Sequence, residues 1–186
     1  VKALSTSCLL LLLLACSPER VEHRVFAEKP YFDLKAFLEK EIESLPPHTA
    51  LLKRVAQKDS TAPTEELRLE NPDPTLELKP FLESDLNRRA WVDKYAVDST
   101  FTPEGKLQRL TYRSLDPKLK IRTLEVEFDP TGAVRRIVVE KDLKSLIAGA
   151  HRKMTYLPGH GFRIENHQEF IGGGSTTYLL EGTWEY

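Results

Sequence analysis

The chain has 186 residues, with 27 basic and 28 acidic side chains, a formal net charge of −1 and 40% hydrophobic content. That length suits one domain with its own core, and balanced charge without a dense Lys/Arg stripe argues against a nucleic-acid partner. Only two cysteines are present, Cys8 and Cys16, too few for a disulfide framework or a cysteine-rich metal site.

The chain opens with a cationic Lys2, an apolar run ending at Leu14-Ala15, and Cys16 at the head of a polar stretch. This is the layout of a secretory signal: a positive start, a short apolar region and a small residue before the cut. A transmembrane helix needs about 20 apolar residues, and Pro18, Glu19 and Arg20 end the run short of that. The sequence Leu13-Leu14-Ala15-Cys16 resembles the lipobox of bacterial lipoproteins. The resemblance implies that residues 1–15 are removed and that Cys16 is acylated, anchoring the chain to a membrane. An ordinary secretory signal or a short anchor is the alternative. In that family an aspartate after the cysteine favours retention at the inner membrane in some bacteria. Ser17 in its place points to the outer membrane. Residues 16–29 then comprise the acylated cysteine and a charged tether, and residues 30–186 form the folded domain.

Leu34, Leu38, Ile42 and Leu45 recur at helical spacing beside Tyr31 and Phe37, with Lys35, Glu39, Lys40 and Glu43 on the other side. Pro30 and Asp33 suit the start of this helix, and Pro46-Pro47 stops it. Residues 49–57 predict a strand, Leu67 and Leu69 a short second one. A further helix is expected from Pro74 or Pro80 to about Arg89. From Trp91 the period becomes two. Trp91, Tyr95, Val97 and Phe101 are expected on one strand face. Leu110 with Tyr112, and Leu124 with Val126 and Phe128, mark the next two strands. Asp129-Pro130-Thr131-Gly132 is a turn, because Pro130 pre-sets φ and Gly132 accepts a left-handed conformation. If residues 130–132 form its loop, Glu127 faces Arg135 and Arg122 faces Glu140. Ile137-Val138-Val139 suggests a strand covered on both faces. Hairpins follow at Pro158-Gly159-His160-Gly161 and Gly172-Gly173-Gly174-Ser175. In the last strand Tyr178, Leu180, Trp184 and Tyr186 share a face.

About seven C-terminal strands joined by short turns, with helices gathered at the N-terminal end, predict an α+β fold: a curved antiparallel meander with one or two helices packed on it. The lipid signal, chain length and element order also resemble the half-barrel of the lipoprotein-carrier and lipoprotein-receptor family. That resemblance implies an apolar cavity for a lipid or lipoprotein under the sheet. Its lining would include Trp91, Tyr95, Phe128 and Trp184, facing the helix that carries Leu34, Leu38 and Ile42. Filling of an ordinary core is the competing reading of the same aromatics.

No pattern of residues singles out a catalytic group, a cofactor or a metal. His167 alternates with Glu165 and Glu169 on a strand, which an outward polar face explains as simply as a ligand set. The triple glycine lacks the Lys-Ser/Thr and the helix of a phosphate loop, and Ser175 does not fit a nucleophile elbow. Expected from this is a non-enzymatic, lipid-anchored envelope protein of binding or scaffold type, its partners a membrane and another envelope protein or a lipid. A lipid carrier is one alternative. A carboxylate-dependent envelope hydrolase, needing two carboxylates facing each other in a cleft, is another.

Overall fold

The computed structural model describes residues 29–58, 61 and 63–186. Helix α1 covers Leu34–Ser44, and the Asp33 side chain caps it by accepting a hydrogen bond from the Ala36 N–H at 3.1 Å. Pro46 and Pro47 follow, and the chain turns into β1 (Ala50–Lys58) and β2 (Glu65–Leu69). The helix expected from residue 74 or 80 to 89 is broken in two, α2 (Pro74–Glu77) and α3 (Lys79–Leu82). Pro80 has no N–H to continue the α2 ladder, so the Leu78 N–H closes on Pro74 and a new turn begins. Trp91 ends a 3-10 turn, Arg89–Trp91, and lies outside the strand in which the sequence pattern placed it.

Seven strands complete the chain: β3 (Tyr95–Phe101), β4 (Leu107–Ser114), β5 (Ile121–Phe128), β6 (Val134–Lys144), β7 (Ala148–Leu157), β8 (Gly161–Phe170) and β9 (Ser175–Glu185). They form the expected meander, and β1 pairs with β9 so that all strands join one open antiparallel sheet ordered β2-β1-β9-β8-β7-β6-β5-β4-β3. The fold is α+β, with the helices on one face of a curved sheet.

Alternation separates the two faces. Leu51, Trp184, Phe162, Tyr156, Ile137, Val126 and Leu110 point toward the helices and are buried. One continuous core joins them to Leu34, Leu38, Leu78, Phe81 and Leu86, the last five all 0% exposed. The opposite face is a lattice of ion pairs. Glu127, itself buried, accepts from Arg135 at 2.9 Å and from Arg136 at 2.7 Å. Burial pushes the Glu127 carboxyl up, but the Arg136 and Arg135 hydrogen bonds hold it below the ordinary carboxylate range.

Bulges shift the expected register. One between Glu127 and Phe128 sets Arg136, not Arg135, opposite Glu127. Another at Arg122 sets Thr123 opposite Glu140 and sends the Arg122 guanidinium to Asp142 at 3.5 Å. Val138 lies on the ion-paired face between Glu125 and Thr155, half-buried by strand neighbours without a second layer above it.

Candidate functional site

Of the residues singled out by sequence, Cys16 lies outside the described residues. The four aromatics all join or border the core, but in separate places. Tyr95 is buried at the β3 edge, where its hydroxyl donates to the Ile121 carbonyl at 3.1 Å and its ring meets Tyr31 edge-on at 5.7 Å. Burial pushes the Tyr95 phenol up to about 12, so it stays neutral. Trp91 lies tilted beside it at 6.3 Å and carries the Arg88 guanidinium over its ring at 4.6 Å. Phe128 is partly buried against Phe32. Trp184 sits on β9, opposite Leu51, with no partner for its indole N–H among the described residues. The structure thus brings Trp91 and Tyr95 together. Trp184 lies on the same face but six strands away along the sheet, and side chains of α1 and α3 occupy the core between them.

One end of the sheet, where the β4–β5, β6–β7 and β8–β9 turns lie side by side, gathers polar and exposed side chains. A shallow cleft of about 180 Å³ opens there, lined among others by Asp142, Lys144, Gly149, His151, His167 and Glu169. His151 stands directly opposite His167 in the β7–β8 register. Gly149, lacking a side chain beside them, leaves the space open. Each ring has a neighbour fixing one nitrogen: His151 Nδ1 lies 3.0 Å from Asp142 and His167 Nδ1 lies 2.9 Å from the Thr177 hydroxyl. The two carboxylates are engaged as well, Asp142 by Arg122 and His151, Glu169 by the other nitrogen of His167 at 3.4 Å. Among the described residues no three His, Cys, Asp or Glu side chains converge to hold a metal ion.

Beyond the cleft the turn tips are apolar and bare. Leu146 is 94% exposed, Ile147 72% and Ile171 77%, with Phe170 half in solvent. The Ile171 N–H donates to the Ile147 carbonyl at 2.9 Å, so the two tips form one surface. Contiguous apolar exposure of this kind marks contact surfaces more often than isolated apolar residues do. The sequence pattern placed a hairpin at residues 172–175 and assigned no turn to residues 146–147. Only the strand order places residues 146–147 beside 170–171, and no local pattern carries that information.

Comparison with family models, curated proteins and solved structures finds no match to the chain. Among the described residues no helix is long and apolar enough to cross a membrane.

Proposed function

We propose that this chain is a lipid-anchored protein of the bacterial envelope that works by binding, as a scaffold or assembly component, without catalysing a reaction. The observation that carries the reading is the coincidence of leucines, a small residue and Cys16 after a cationic, apolar start. Two structural features support a role exercised through the surface. Leu34 and Leu38 of α1 and Phe81 of α3 are fully buried against the sheet, so side chains of the chain itself occupy the core under the helices. The bare tips at Leu146, Ile147 and Ile171 offer apolar area to a partner, another envelope protein or a lipid surface.

The anchor is tested by substituting Cys16→Ala in the full chain and fractionating cells. Two or more acyl chains hold a protein stably on a bilayer, each buried methylene adding about 0.8 kcal/mol. The native chain is expected in the membrane fraction, released by detergent, and the variant in the soluble fraction. Unchanged membrane retention of the variant rules out the lipoprotein reading.

A further inference from the structure

We propose that Lys141 and Arg152 form a binding site for an oxyanion, a phosphate monoester or carboxylate, on the helix-covered face of the sheet. The two residues stand directly opposite each other on β6 and β7. Like charges in that position repel and weaken a sheet, so the pairing needs a compensating charge. Elsewhere in the sheet every other strand arginine has a carboxylate within ion-pair distance. Arg152 has none among the described residues. Its Nε donates to the Asn166 Oδ1 at 3.2 Å, and its two terminal nitrogens are left uncommitted.

Lys141 is 9% exposed, and its Nζ donates to the Pro80 carbonyl at 2.8 Å, which uses one of three N–H groups. Arg88 and Lys120 add positive charge nearby, and Glu83 is the acid that answers them. Burial, then the Arg152 charge, lowers the Lys141 ammonium to about 8 against the opposing pull of Glu83. A guanidinium offering two parallel N–H groups beside an ammonium matches the oxygens of phosphate or carboxylate, and the Asn166 amide adds a further donor. An anion seated there converts the Lys141–Arg152 repulsion into two attractions. Leu143 and Ala150 extend the same face toward the turn end, so the group is free to be a small metabolite's or an amphiphile's.

The test is titration calorimetry of the full chain at low salt with inorganic phosphate, acetate and dihexanoyl phosphatidic acid. It is paired with NMR of the 13C-labelled lysine Cε–Hε groups to follow Lys141. Saturable binding of at least one probe is expected, with the Lys141 titration moving upward from about 8 as the site fills. Binding of phosphate and phosphatidic acid alike identifies a free oxyanion site, and binding of phosphatidic acid alone identifies a lipid headgroup. Either Arg152→Gln, at a partly buried position, or Lys141→Met is expected to weaken binding about tenfold or more, the loss of one charge-assisted contact. Lys106→Gln, at the opposite end of the sheet, is expected to leave it unchanged. Absence of saturable binding by all three probes, or equal binding by the native chain and both variants, overturns the site.

Discussion

Two buried charges on neighbouring strands show how context decides whether ionisation stabilises or destabilises this fold. Glu127 is surrounded by three arginines and is held charged by them. Lys141 has one neutral carbonyl as its direct partner and is pushed the other way. The consequence for stability follows from linkage. An unfolded Lys141 titrates near 10.5 and the folded one near 8, so between those values the unfolded chain holds more protons. Stability therefore rises with pH through that window, by about 2 kcal/mol between pH 7 and pH 9.5 if the full shift applies. Lys141→Met removes this contribution. Urea unfolding of both proteins at the two pH values is expected to show the native chain gaining on the variant as pH rises. A constant difference between them would show that Lys141 is not held at a lowered value.

At the scale of elements, what the sequence made legible was chemistry confined to neighbours. Asp129 Oδ1 accepts from the N–H groups of Thr131 and Ala133, and Gly132 takes φ 90°, so the turn forms as its residues dictate. The Asp33 cap and the Pro46-Pro47 stop are equally local. Contacts across the chain were not legible. Asn87 accepts from the Tyr31 N–H and donates to the carbonyls of Tyr31 and Phe32, clamping a segment 55 or more residues away. The β8–β9 contact is another such case. Gly182 lies under the Phe162 ring, and a Cβ there would stand 2.5 Å from its Cζ. Gly182→Ala is accordingly expected to cost about 1–3 kcal/mol through overpacking. Shortening the opposing ring with Phe162→Leu should recover part of that loss in the double variant, measured by thermal unfolding. If Gly182→Ala melts with the native chain, the close approach of ring and backbone is wrong.

On the scale of the whole molecule, β9 is the element on which the architecture turns. It is last in the chain, yet it alone joins the N-terminal β1–β2 pair to the C-terminal meander. Lys53 and Gly182 face each other across that junction, and the Arg68–Glu185 ion pair ties β2 to it. The sequence predicted the meander because each of its hairpins is local. It was silent on the β1–β9 pairing, whose partners lie more than a hundred residues apart. Such non-local pairing slows folding, because loop closure must precede the contacts that reward it. It also binds the halves into one unit, since the core runs without a break from Leu34 and Leu38 through Phe162 and Trp184 to Tyr95. A continuous core of this kind should melt in one step. The two tryptophans allow a direct test, with Trp184 reporting the β9 junction and Trp91 the opposite edge. In Trp91→Phe, half-buried and outside the sheet, Trp184 fluorescence during denaturant unfolding is expected to coincide with the loss of far-ultraviolet circular dichroism. An earlier fluorescence transition would show the β1–β2 pair detaching first, leaving the meander to stand by itself.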